Sequence, residues 1–173
     1  MAFLKKVDKI MTYIEDHLIA ALLIAMTAIT FWGVITRFVI NDSSSWSEEA
    51  SRYLSIWAVF IGASLGVKKG AHIGVEAFVV ALPKRAQRYA GIITSLCCLV
   101  FCVALTYIGG DYTQRLMSTG QLSPAMRIPI VFAYAAVPVG CLLMSIRYLL
   151  KLVEQIGSIA DPDDDQARVD NAI

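Results

Sequence analysis

HLIAALLIAMTAITFWGVIT, residues 17–36, runs for twenty residues without an Asp, Glu, Lys or Arg. A helix of that length rises about 30 Å, the thickness of a bilayer's hydrocarbon core. The same emptiness recurs at 53–67, 89–110 and 128–146. Nearly all the charge lies between these windows and at the two ends. The second window is short, but a helix from Ala50 to Val67 spans if Arg52 snorkels toward the headgroups. A soluble helical protein could carry one or two such windows. Four of them in 173 residues leave too little polar surface for solution.

Composition agrees with the windows. Apolar residues make up 57% and charged residues 17% of the chain, against about 45–50% and about 25% in soluble domains. With a net charge of +1, nothing favours nucleic acid as a partner. The expected fold class is all-α: a four-transmembrane-helix integral membrane protein with spans near 17–40, 50–67, 88–110 and 128–150. These fall in a domain of residues 1–157, followed by an acidic, disordered tail over 158–173. The first span is not a cleaved export signal. Asp8, Glu15 and Asp16 precede it, and it exceeds the ~7–15 residues of a signal-peptide core.

Basic residues set the expected orientation. Lys5, Lys6, Lys9, Lys68, Lys69, Lys84, Arg85, Arg88, Arg147, Lys151 and Arg168 make eleven on one side, against Arg37, Arg52, Arg115 and Arg127, four on the other. Both termini are expected in the cytoplasm, with the 41–49 and 111–127 loops facing outward, toward the periplasm in a Gram-negative cell. GAHIGVEAFVVALPKR, from Gly70, is too short to cross before Pro83. It is expected to form an interfacial amphipathic helix over 72–82 on the cytoplasmic side, with His72 and Glu76 four apart on its polar side.

The polar stretch NDSSSWSEEASRYLSIW, Asn41–Trp57, opens the second span. Ser45 or Ser47 can cap free amides, and Ser45 with Glu48 has the capping-box spacing. Glu48 and Glu49 suit the positive end of a helix dipole. Glu48 also stands four before Arg52, so an ion pair between them is expected, and reversing the Arg52 charge should leave both acids without a nearby cation. Trp46 sits where interfacial tryptophans anchor. Capping and anchoring account for the motif without chemistry, and recognition of a partner subunit at this rim is the functional alternative.

Enzymatic parts are missing. No Ser/His/Asp set converges, and no Gly-rich loop follows a strand. Cys97, Cys98, Cys102 and Cys141 lie inside spans as small hydrophobes without metal-ligand spacing. His17 and His72 are the only histidines, which leaves a haem-bearing membrane anchor as a minor reading. An independent small transporter acting as a homo-oligomer is the stronger rival. Yet the midplanes of all four spans carry no ionisable residue, where ion paths usually have one. Only the fourth span has a kink candidate, Pro138 with Gly140. No catalytic, cofactor-binding or metal-ligating residue is expected, and a membrane-embedded scaffold fits best.

Several pieces resemble the small, four-helix membrane subunit of tripartite ATP-independent periplasmic (TRAP) transporters, the DctQ type. They are W-S-E-E-x-x-R (Trp46–Arg52), Gly62–Val67, G-A-H-I-G-V-E (Gly70–Glu76, where many members carry Asp at the Glu76 position), Ser123-Pro124, Ile128-Pro129 and Pro138-x-Gly140 with Arg147. The resemblance covers approximately Val7 to Leu152. It implies a non-catalytic subunit of the bacterial inner membrane without a cofactor. Such a subunit orients a large multi-helix permease that imports an organic acid, such as sialic acid or a C4-dicarboxylate, with sodium. A periplasmic substrate-binding protein docks on the complex, and lipid surrounds it. It further implies a polar network of Glu48, Glu49 and Arg52 at the outer rim, and contacts through His72 and Glu76.

Overall fold

The computed structural model describes residues 2–41, 44–68 and 84–160. The expected interfacial helix, with His72 and Glu76, lies outside the described residues, as does the tail beyond residue 160. Helix α1 covers Ala2–Ile35 and tightens into one π-helical turn, Thr36–Ile40. Helix α2 covers Ser45–Lys68, α3 Lys84–Thr119, α4 Val131–Tyr134 and α5 Ala136–Ala160. Four stretches are long and apolar enough to cross a membrane: Asp8–Ile40, Ser45–Lys68, Tyr89–Thr119 and Val131–Gly157.

Helices overrun the expected spans in three places. The first begins near residue 2, so Asp8 and Glu15 are helical. The last runs to Ala160, past the expected start of the tail. The third continues through residues expected in a loop: Asp111 pairs with Arg115 one turn on at 2.9 Å, and the Thr113 hydroxyl donates to the Gly109 carbonyl at 2.6 Å. Gly120 then stops α3 with a left-handed φ of 62°, a conformation glycine adopts without steric penalty.

The fourth span is broken near its start. Proline at position 138 has no N–H to donate to the Tyr134 carbonyl four residues back. Helix α4 ends at Tyr134, and α5 starts at Ala136. Pro138 therefore sits in the first turn of α5 rather than at the centre of a span.

Packing runs α1 on α2, α2 on α5, and α5 on α3, while α1 and α3 share no packed face among the described residues. The result is an open row of helices, not a closed four-helix bundle. Small residues bring its members together. A Cβ on Gly33 would lie 2.6 Å from Ser47 Oγ, and one on Gly140 would lie 2.6 Å from Phe60 Cβ. Gly109 lies under Pro138, and Gly91 meets Gln155. Gly91, Ser95 and Gly109 thus turn toward α5 or are buried, while Ala104 on the same helix is exposed. Between α2, α3 and α5, Val67, Cys102 and Tyr148 form a core with Cys98, Leu99 and Met144. The edge helices turn large apolar side chains outward, among them Ile24, Phe31 and Phe38 on α1 and Val100, Phe101 and Tyr107 on α3.

Candidate functional site: polar clusters at the two ends of the row

At the end where α1 begins and α2 finishes, Asp8, Thr12 and Glu15 occur at i, i+4 and i+7, so they line one face of α1. Ser64 and Lys68 do the same on α2. Arg147 enters between them from α5, with its side chain 3% exposed. Its Nε donates to Ser64 Oγ at 3.0 Å, one Nη to Asp8 Oδ1 at 2.9 Å, and the other to Glu15 Oε2 and to Thr12 Oγ1 at 3.4 Å. Ser64 in turn donates to the other Glu15 oxygen at 2.9 Å. Lys68 closes the group, 2.6 Å from Asp8 Oδ2 and 2.7 Å from Thr12 Oγ1.

Two acids and two bases leave this cluster neutral, and the guanidinium is bonded on three sides. Burying a charge without a partner costs several kcal/mol, so each member depends on the others. The cluster ties α1 to α5 across α2, which no apolar packing does. From the sequence, Arg147 is counted with the cytoplasmic-side bases and within the fourth-helix motif, with the charge expected outside the helix interior. The signal was present in the i, i+4, i+7 spacing of Asp8, Thr12 and Glu15 before the first apolar run.

At the opposite end, Glu49 near the start of α2 holds the segment between α3 and α4. Its Oε1 accepts the Tyr53 hydroxyl at 2.8 Å, and its Oε2 accepts the backbone N–H groups of Ala125 at 2.9 Å and Met126 at 3.1 Å. That segment closes on itself. Ile130 N–H donates to the Gln121 carbonyl, Ser123 N–H to the Ile128 carbonyl, and Leu122 faces Pro129 in an isolated antiparallel bridge. Arg127 carries the turn with a left-handed φ of 54°. Trp57, two turns along α2, donates its indole N–H to the Phe132 carbonyl at 2.8 Å.

The expected Glu48–Arg52 ion pair does not form. Glu48 faces Arg37 of the π turn instead, at 3.9 Å. The close approach at Gly33 draws the end of α1 against the start of α2, so Arg37 arrives beside Glu48. Arg52 is exposed, and among the described residues its side chain makes no ion pair. The capping box is also absent: α2 already begins at Ser45, and Ser47 donates its hydroxyl, at 2.7 Å, and its N–H to the Ser44 carbonyl. Trp46 is exposed at the same rim. Pro138 and Gly140 lie on α5, packed on Gly109 and Phe60. The structure therefore joins Glu49 to the 121–130 segment, and separates Glu48, Arg52, Pro138 and Gly140 from it.

A family model described as tripartite ATP-independent periplasmic transporters, DctQ component, matches residues 26–157. The chain belongs to the DctQ family. Among similar proteins is the C4-dicarboxylate TRAP transporter small permease protein of Vibrio cholerae, 31% identical over 86% of this chain and 73% of that protein. The ectoine TRAP transporter small permease protein of Halomonas elongata is 30% identical over 88% of this chain and 79% of its own. The sialic acid TRAP transporter small permease protein of Vibrio cholerae is 29% identical over 86% and 85%. As a DctQ-type protein, the chain is a small, non-catalytic permease subunit of the TRAP transporter family. The matched stretch takes in Glu49 and Arg147 but begins after Asp8 and Glu15.

Proposed function

We propose that this chain scaffolds and orients a large multi-helix permease subunit in a sodium-coupled importer of an organic acid, fed by a periplasmic substrate-binding protein. The observation that carries this reading is the open row of helices. The two edge helices, α1 and α3, stay apart among the described residues, and each presents a long apolar face. Such faces suit insertion beside a larger helical partner, and close packing there depends on shape and small residues rather than on the hydrophobic effect. The ionisable residues buried within the spans, Glu15 and Arg147, are paired with each other, which also favours a stationary element over a substrate path.

The inner-membrane location and the cytoplasmic placement of both termini rest on the eleven-to-four asymmetry of basic residues. An interfacial helix over 72–82, with His72 and Glu76, belongs to the same proposal, as does a polar rim at Trp46, Glu48, Glu49 and Arg52. Relatives whose names carry C4-dicarboxylate, ectoine and sialic acid share this subunit type, so substrate choice is assigned to the partners.

The test is purification of the tagged chain from its native membrane in nanodiscs, with mass identification of what accompanies it. A large permease at one-to-one stoichiometry is the expected result. Recovery of the chain alone as a stable homo-oligomer would overturn the scaffold and favour an independent transporter.

A further inference from the structure

Where α1 and α2 meet at the Glu49 end, a cleft of about 210 Å³ opens between them, walled by Thr30, Gly33, Val34, Phe38, Ser47 and Ser51, with Arg37 and Glu48 at its rim. Its deep polar groups are already paired: Thr30 and Ser51 hydroxyls lie 3.0 Å apart, and Ser47 bonds to the Ser44 carbonyl. The rim is different. Arg37 and Glu48 stand 3.9 Å apart, beyond hydrogen-bond distance, with side chains 65% and 69% exposed. An isolated pair this open contributes little to stability, so most of the guanidinium donors and both carboxylate oxygens are left for another group. Ser44, also lining the cleft, has a hydroxyl shielded from solvent and without a partner among the described residues.

Depth decides what that group is. Arg37 lies in the last turn of the first membrane-crossing stretch and Glu48 in the first turn of the second, the level of lipid headgroups. Below them, Val34 and Phe38 give the cleft an exposed apolar flank. The volume equals about seven waters at ~30 Å³ each, on the scale of a phosphoethanolamine group. We propose that this cleft binds a zwitterionic aminophospholipid, phosphatidylethanolamine, through its phosphate on Arg37 and its ammonium on Glu48, with an acyl chain along Val34 and Phe38. Guanidinium–phosphate and ammonium–carboxylate contacts are charge-assisted hydrogen bonds. A choline headgroup has no N–H for Glu48, and a glycerol headgroup has no cation. The site discriminates by the second contact.

The full-length chain, delipidated in detergent, is titrated with phosphatidylethanolamine, phosphatidylcholine and phosphatidylglycerol of identical acyl chains and read by native mass spectrometry. The ethanolamine lipid is expected to bind about tenfold more tightly than the other two, as loss of one charge-assisted contact implies. Glu48→Gln should erase that preference, and Arg37→Gln should weaken all three lipids together. Both side chains are largely exposed, so neither change threatens folding. Equal binding of the three lipids, or a preference that survives both substitutions, overturns the site. So does loss of the ethanolamine lipid when the chain is isolated with a multi-helix partner, since the cleft is then a protein contact.

Discussion

The two ends of this protein solve opposite problems with the same residue types. At one, Asp8, Glu15, Lys68 and Arg147 are drawn together, with Glu15 and Arg147 buried, and every charge meets its counterpart on another helix. At the other, Glu48, Arg37 and Arg52 stay exposed, and only Glu49 is committed to the fold. A buried charge is held by its partners and strands them when it is removed. An exposed one remains available to lipid or protein. The first arrangement fixes how the helices stand relative to each other. The second leaves a rim that other molecules can read.

Removing Arg147 should break this contrast most severely. Arg147→Met leaves buried Glu15 without its cation and Asp8 with Lys68 alone, at an expected cost of about 3–5 kcal/mol. Thermal unfolding in detergent should show it as a large drop in midpoint. Adding Glu15→Gln should recover part of the loss, and an unchanged midpoint in the single variant would mean the cluster carries no weight. Gly140→Leu comes next: its Cβ would start 2.6 Å from Phe60, and overpacking of this kind costs about 1–3 kcal/mol. The same midpoint reads it.

Glu49→Ala should have an effect of comparable size but confined to one segment. It strands the amides of Ala125 and Met126, and bonds to a charged acceptor are worth about 1.5–3 kcal/mol. Faster hydrogen exchange at those two amides, with the Arg147 region unchanged, is the expected pattern. Arg52→Glu should leave stability within about 0.5 kcal/mol, as for surface positions away from special features. Any loss of uptake or of complex yield in that variant then reports recognition by a partner. A midpoint shift as large as that of Arg147→Met would erase the distinction between the two ends.

The four long apolar helices were legible in the sequence because the charge-free windows depend on local composition alone. The stop at Gly120 is local too, but α3 continues to it through Asp111–Thr119, where the polar composition suggests a loop. The clusters were harder. Glu15 and Arg147 are separated by 132 residues, and Glu49 and Ala125 by 76, so their pairing depends on which helices become neighbours. Glu48 shows the same limit at short range. Arg52 is the local partner that helical spacing offers, yet the close approach at Gly33 brings in Arg37 from another helix. Pro138 was recognised as a kink residue, but its effect falls four residues upstream, at the carbonyl it cannot serve.

The Arg147 cluster also imposes an order in time. Asp8 leaves the ribosome 139 residues before the arginine that neutralises it. At ~5–20 residues per second, the acids of α1 wait roughly seven to thirty seconds for that partner. Once α2 is made, the cation of the finished cluster within their reach is Lys68. The first helix packs on α2 early, and its bonds to α5 through Arg147 form last.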